Sequence, residues 1–228
     1  MKNLTLVIPV KNEVESLPKF LSEVMKLKYK VMLVIDSKDK NSYNSKLYRH
    51  RLIQKTIPKK TGYGNALIGG INKVKTKYFC IINADGSMNP KDIKKMMKLT
   101  NEYSFIFCSR YLLNAGSEDD TIVTYFGNRF FSLFGNLFFG LKISDILYTY
   151  LIGETKLAKK IKLNSHDFRI CVELPIKVHK AKINYTDVGS YERPRIGGVK
   201  KVNALKDGLL ILAEMFKMLI QNRPINLK

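Results

Sequence analysis

The stretch Tyr78-Phe79-Cys80-Ile81-Ile82-Asn83-Ala84-Asp85-Gly86-Ser87 runs five apolar residues directly into Asn, Ala, Asp, Gly and Ser. Such a run reads as a strand buried on both faces, and the residues after it are those that turn a chain out of a strand. In an open parallel sheet, ligands bind outside the carboxyl ends of the strands. Asp85 therefore places a carboxylate where a divalent cation can be held against a diphosphate. A plain strand-to-helix turn accounts for the same letters, so the rest of the chain has to decide.

Short β-rich runs at Leu4–Val10, 31–35, 78–84 and 105–108 alternate with helical patterns at 13–26, 64–74 and 90–101, and a weaker strand pattern lies at 51–57. That alternation predicts an α/β fold with a mostly parallel sheet covered by helices. Past residue 115 the texture changes. Gly116-Ser117-Glu118-Asp119-Asp120 reads as a polar hinge, dividing one compact unit into a half at 1–115 and a half at 116–228.

Within 125–143, Phe126, Phe130, Leu133, Phe134, Leu137 and Leu141 share one helical face, and Asn128, Ser132, Asn136 and Gly140 share another. A second stripe runs through Val202, Leu205, Leu209, Leu212, Phe216 and Leu219, with Lys206, Lys217 and Arg223 on its polar side. Two placements fit these amphipathic helices. They pack their stripes on the sheet, or one lies in a lipid headgroup layer with its apolar face down.

With 228 residues and 45% hydrophobic content, the chain is long enough for one substantial core. Its 40 Lys+Arg against 19 Asp+Glu give a formal charge of +21, which points to anionic partners: nucleic acid, acidic lipid or phosphorylated substrates. Nucleic acid calls for a basic face interleaved with stacking aromatics, or a recognisable module, and neither is present. Cys80, Cys108 and Cys171 have no metal or disulfide spacing and read as reduced thiols of a cytoplasmic protein. His50, His166 and His179 are scattered and take no part in the chemistry. The N-terminus enters a strand pattern at once, which leaves no room for a signal peptide. No apolar run of about 18–20 residues is present, so any membrane contact is peripheral, at the inner face.

The first strand ends in Pro9-Val10-Lys11-Asn12-Glu13, and here the chain resembles the family 2 glycosyltransferases, whose first strand ends in a Pro-x-x-Asn-Glu pattern that cups the nucleotide base. Val34-Ile35-Asp36, Gly62-Tyr63-Gly64-Asn65-Ala66 and Asn83-Ala84-Asp85-Gly86-Ser87 follow in the same order. Cys108-Ser109-Arg110-Tyr111, Gly127-Asn128-Arg129, Asp145 and Tyr191-Glu192-Arg193-Pro194-Arg195-Ile196-Gly197-Gly198, with Lys200-Lys201 after it, extend the likeness to about Leu212. It is similar to the dolichol-phosphate mannose synthase-like, polyprenyl-phosphate branch.

The resemblance implies a glycosyltransferase-A fold, Rossmann-like, with a C-terminal helical region on the acceptor side. It implies a nucleoside-diphosphate sugar held by Pro9, Val10, Asn12, Glu13, Asp36, Gly64, Asn83 and Ala84, and Mg²⁺ or Mn²⁺ on Asp85 and Ser87. Asp85 and Asp145 take the catalytic roles. Arg110, Arg129, Arg195 and Lys201 hold a lipid-phosphate acceptor, whose ionised oxygen needs no general base. A sugar hydroxyl acceptor does need a base, and Asp145 is then the candidate, its structural alternative being to cap a following helix. The chain departs from the pattern at three places. Asn83 stands at the first acidic position of Asp-x-Asp, Asp36-Ser37 replaces a pair of aspartates, and Tyr148-Thr149-Tyr150 lacks a glycine. A degenerate relative that binds nucleotide sugar without turnover is the rival reading.

Overall fold

The computed structural model describes residues 3–39, 53–197, 202–221 and 225–227. In chain order the elements are β1 (Leu4–Val10), α1 (Ser16–Val24), β2 (Lys30–Ile35), β3 (Ile53–Thr56), α2 (Tyr63–Lys73), β4 (Tyr78–Ile81), α3 (Asp92–Leu99), β5 (Phe105–Ser109), β6 (Gly116–Ser117), α4 (Ile122–Phe139), β7 (Leu151–Glu154), α5 (Thr155–Lys160), α6 (Ile170–Lys180), β8 (Tyr185–Gly189), β9 (Tyr191–Glu192) and α7 (Ala204–Ile220). Seven strands form one sheet in the order β3-β2-β1-β4-β7-β5-β8, while β6 and β9 pair separately. Only β7 runs against the other six.

The continuous apolarity of the strands has a direct cause. Along β1, Leu4, Leu6, Ile8 and Val10 enter one core with Leu17 and Phe20 of α1 and Ile93 and Met96 of α3. Val7 points the other way, into a second core with Leu67 and Ile71 of α2 and Leu174 and Val178 of α6. A strand sandwiched between two helical layers has no solvent face and therefore no polar alternation. A third cluster, around Phe134, Ile176 and Met215, ties α4 and α7 to α6. Since β1 lies between β2 and β4, the connections leave it in opposite directions and open a crevice at its carboxyl edge.

The expected α/β, mostly parallel, helix-flanked fold is present, with several element boundaries moved from those the periodicity suggested. The strand read over 78–84 ends at Ile81, and 82–84 run out of the sheet toward Asp85. The helix read over 13–26 begins at Ser16, with Glu13 accepting the Ser16 hydroxyl, and closes in a 3₁₀ turn at Met25–Leu27. The weaker strand is Ile53–Thr56, and 51–52 lie outside the described residues. The amphipathic helix read over 125–143 starts earlier, where Thr121 and Thr124 form a capping box, and stops at left-handed Gly140. From the 116–228 half, β7 and β8 join the sheet built by 1–115.

The Gly62-x-Gly64 turn opens α2 because the chain passes close to itself there. A Cβ on Gly64 falls 2.1 Å from the Ser165 carbonyl oxygen, and Asn65 N–H donates to the His166 carbonyl at 3.1 Å. Glu173 of α6 fixes that neighbouring segment. It is buried, accepts the N–H groups of Asn164 (2.8 Å) and Ser165 (2.7 Å), and pairs with Lys177 at 2.7 Å. Burial opposes its charge, but Lys177 and the Ser165 N–H outweigh that and hold the carboxyl below its ordinary range. A depressed carboxyl pKa adds stability above the unfolded-state value, and that stability is lost as pH falls through the folded one. Glu173→Gln is expected to lower stability by about 1–3 kcal/mol near neutral pH. In urea unfolding, the difference from wild type should shrink as the pH is taken below the glutamate range.

Candidate active site

Asp85 sits four residues past the end of β4, at the carboxyl edge of the sheet beside the β1 crevice. Its Oδ1 accepts the backbone N–H (3.1 Å) and hydroxyl (3.0 Å) of Ser87, which fixes the carboxylate in a tight turn. Its Oδ2 faces the guanidinium of Arg195, with Nη1 at 3.0 Å, and the residue is only 5% exposed. The turn is possible because Gly86 adopts φ +79° and because a Cβ there would strike the Ile196 side chain at 2.3 Å. Residues 193–196 strap over it. Ile196 N–H donates to the Asp85 carbonyl and Arg193 N–H to the Ser87 carbonyl, both at 2.8 Å, and Arg193 reaches the Gly86 carbonyl while pairing with Glu23.

The other donor-side residues surround the same edge. Asn12 holds a left-handed φ of +53° and its N–H donates to Asp39 at 2.9 Å. Asp36, at the end of β2, is buried, takes the Lys38 N–H and faces Lys11 at 3.4 Å. Asn83 accepts the Tyr63 hydroxyl at 3.1 Å, and that hydroxyl also meets Thr149 at 2.6 Å. Burial raises the Tyr63 phenol well above its usual range, so it remains a neutral donor. Pro9 is half-buried, whereas Val10, Glu13 and Ala84 are buried in the walls. The Ser87 hydroxyl is turned onto Asp85. Lys201 lies outside the described residues.

Arg110 and Asp145 form a different kind of site from a solvent-facing phosphate clamp with a nearby base. The Arg110 side chain is buried and its fork is spent on carboxylates: Nε–Oδ2 2.7 Å and Nη2–Oδ1 3.0 Å to Asp145, Nη1 3.2 Å to Glu192 and 3.5 Å to Asp120. Its N–H adds a third bond to Asp145 Oδ2 at 3.2 Å. Burial works against the guanidinium charge, but Asp145 and Glu192 reverse that and raise its pKa well above normal. Glu192, pushed up by its own burial and pulled back by Arg110, ends above the usual carboxylate range. Asp145, completely enclosed, is the counter-ion of Arg110. The segment after it leads to β7, so it caps no helix.

Beside this cluster opens a cleft of about 410 Å³ lined by Tyr111, Ser117, Asp120, Tyr125 and Arg129, with Arg110 in its wall. Asp120 accepts from Tyr111 hydroxyl, Thr124 hydroxyl, Asn128 amide and Arg110, which leaves its oxygens fully engaged. Arg129 lies over the Tyr111 ring at 5.5 Å and, among the described residues, has no carboxylate partner.

The sequence reading took Asp119 and Asp120 as part of a hinge at 116–120 and named Glu192 within a motif without giving it a role. Asp119 receives Arg195 Nε and Nη2, both at 3.1 Å, while the next residue receives Arg110. Ser117 Oγ accepts the N–H groups of both aspartates and donates to Glu192. The signal was three consecutive acids in a chain with twofold more basic residues. Removing one partner of a buried ion cluster strands the other charge, a loss of about 3–5 kcal/mol. Asp145→Ala is therefore expected to destabilise by that order, and Asp120→Asn, on the longer contact, by distinctly less. Chemical unfolding of the two variants measures the difference.

Comparison with known proteins bears on the family and the fold. The family model described as glycosyl transferase family 2 matches residues 5–162. Uncharacterized glycosyltransferases of Mycobacterium bovis and Mycobacterium tuberculosis are 33% identical over 94 residues, which is 41% of this chain and 42% of theirs. The match thus spans less than half the length of these relatives. Among solved structures, glucosyl-3-phosphoglycerate synthase of M. tuberculosis, crystallised with Mn²⁺, UDP-glucose and phosphoglyceric acid, superposes with a TM-score of 0.74 at 10% identity, covering 96% of this chain and 80% of that one. The same synthase with Mg²⁺ and UDP gives 0.70 at 10% identity, covering 95% and 79%. At that identity the likeness shows the fold.

Proposed function

The chain belongs to glycosyl transferase family 2, and from that premise we propose that it is an inverting glycosyltransferase moving a hexose from a nucleoside-diphosphate sugar to a phosphate-bearing acceptor, a polyprenyl phosphate or similar membrane-associated compound. The observation that carries this reading is the chemistry of the cleft. Its carboxylates are saturated, and its exposed cation, Arg129, has no carboxylate partner among the described residues. A hydroxyl acceptor needs a free base within hydrogen-bond reach, and Asp145 is wholly taken up by Arg110. A phosphate oxygen arrives ionised and needs only a cation to orient it.

On the donor side, the carboxylate of Asp85 already accepts a cation at 3.0 Å, the Arg195 guanidinium, so the position suits positive charge. A divalent cation there, Mg²⁺ or Mn²⁺, supplies charge to offset the departing diphosphate. Mg²⁺ sites commonly use one or two carboxylates plus phosphate oxygens, which makes Asn83 in place of an aspartate tolerable. Asn83, with Tyr63 holding its amide oxygen, presents a neutral group beside Asp85 and lowers the negative charge that the diphosphate meets. Asn12, Glu13 and Asp36 border the crevice where the nucleoside is accommodated. Compounds bearing phosphate accompany the related structures too: phosphoglyceric acid and, in another, glycerol 3-phosphate. A phosphate-bearing acceptor is common to both possibilities, and attack by the phosphate oxygen of a lipid is what this proposal adds.

In parallel incubations with radiolabelled UDP- or GDP-hexoses, Mn²⁺ and either polyprenyl phosphate or phosphoglycerate, label is expected to move into the solvent-extractable lipid of the first and not onto phosphoglycerate in the second. Asp85→Ala should abolish the transfer. Arg129→Ala should raise the acceptor KM by about 10- to 100-fold, the worth of a charged hydrogen bond, with little change in the donor KM. Label appearing only on phosphoglycerate overturns the lipid acceptor, and no transfer from any donor overturns the enzyme reading.

A further inference from the structure

Helix α4 is amphipathic in the reverse sense from a helix packed on a core in water. Its polar stripe faces inward: Asn128 donates to the Tyr111 hydroxyl and Asp120, Ser132 accepts the Ile146 N–H, and Asn136 exchanges two bonds with the backbone of Ile143. Its apolar stripe faces outward, with Phe126 66%, Leu133 66% and Leu137 71% exposed. Apart from Arg129, every exposed residue of α4 is aliphatic or aromatic. Helix α7 is apolar on both sides, packing Ile211, Met215 and Met218 into the core it shares with α4 and α6. Its inner side is Ile211, Glu214, Met215 and Met218, and its outer side carries Leu205, Leu209, Phe216 and Ile220. Phe134 joins the two, in ring contact with Phe130 and Phe138 on one side and Phe216 on the other. A continuous apolar surface of this kind is stable against water only when something covers it.

We infer that the outer face of α4 and α7 is a docking surface for an anionic bilayer, inserted to the depth of the lipid headgroups. Charge chooses the occupant. A second copy carries the same +21 and would be repelled, whereas an anionic lipid surface attracts it. The shape suits an interfacial helix pair, with aromatic and leucine side chains outward and no helix among the described residues long and apolar enough to span a membrane. The docked orientation also gives α4 a task. Arg129 and Tyr125 stand on the same helix as Phe126 and line the cleft, so docking sets that cleft at the level of lipid phosphates. This last step rests on the acceptor reading above, while the docking itself does not.

The experiment is flotation of the full chain with vesicles of phosphatidylcholine alone and of phosphatidylcholine with phosphatidylglycerol, for wild type and Phe126→Ser/Leu133→Ser/Leu137→Ser. These side chains are largely solvent-exposed, so the variant should fold, and its circular dichroism and melting curve check this. Wild type is expected to float with the anionic vesicles and to release as salt is raised. The triple variant should lose at least about tenfold in partitioning, as three apolar side chains no longer insert. It should keep donor hydrolysis in vesicle-free buffer. Equal flotation of both proteins shows charge alone at work and overturns the inference. Failure of wild type to float, with a dimer that the triple variant dissolves in sedimentation, assigns the face to a second copy and also overturns it. Flotation without sugar transfer leaves the docking surface standing and removes the catalytic reading, and transfer without flotation does the reverse.

Discussion

The arrangement depends on the placement of Arg110. One guanidinium behind β5 collects carboxylates from three separate places: Asp145 from the turn before β7, Asp120 from the entry to α4, and Glu192 from β9. A buried arginine cannot lose its proton at any accessible pH, so these acids must stay close enough to compensate it, and the segments carrying them are fixed in turn. The start of α4, the β6–β9 pair and the approach to β7 thereby take their places around the crevice. The arginine that reads in sequence as a phosphate clamp is, in the structure, a carboxylate-bound keystone in the cleft wall.

The acidic pair Asp119-Asp120 connects this keystone with the sheet edge. Asp120 belongs to Arg110 and the cleft, while Asp119 belongs to Arg195, whose remaining nitrogen lies on Asp85. In the proposed reaction, a cation position at Asp85 and an anion position at Arg129 would lean on adjacent residues of one turn. With Asn83 removing one negative charge from the motif, Arg195 already balances the carboxylate that remains. Under the proposed function, a divalent cation on Asp85 would have to share that oxygen with Arg195 or displace it.

Much of the 1–115 half was legible because its strands are uninterrupted apolar runs and its turns carry small polar residues. Leu4–Val10 was bounded correctly, and Asp85 was placed at a strand end from five letters before it. The antiparallel β7 was not found. Leu151-Ile152-Gly153-Glu154 is four residues with a glycine and an acid, and it becomes a central strand only through ladders to β4 and β5, some 70 and 45 residues away. The α4 stripe illustrates a different limit. Periodicity separated Phe126, Phe130, Leu133, Phe134, Leu137 and Leu141 from Asn128, Ser132, Asn136 and Gly140, but a period does not say which side faces the protein: Phe134 and Leu141 are buried, while the other four apolar residues face outward. The polar set faces inward here because Asp120, Tyr111 and the 143–146 backbone offer it hydrogen bonds. The partners of Asp85 and Arg110 lie up to 110 residues away in sequence, which no local spacing could reveal.

Binding of UDP and GDP followed by calorimetry, with and without Mn²⁺, in wild type and Asp85→Asn addresses the donor site most directly. The account predicts that Mn²⁺ tightens diphosphate binding by tenfold or more in wild type, on the order expected for a shared cation, and leaves the variant unmoved. Diphosphate binding of equal strength with and without metal in the wild-type chain would contradict it, since Asp85 would then serve only as the counter-ion of Arg195.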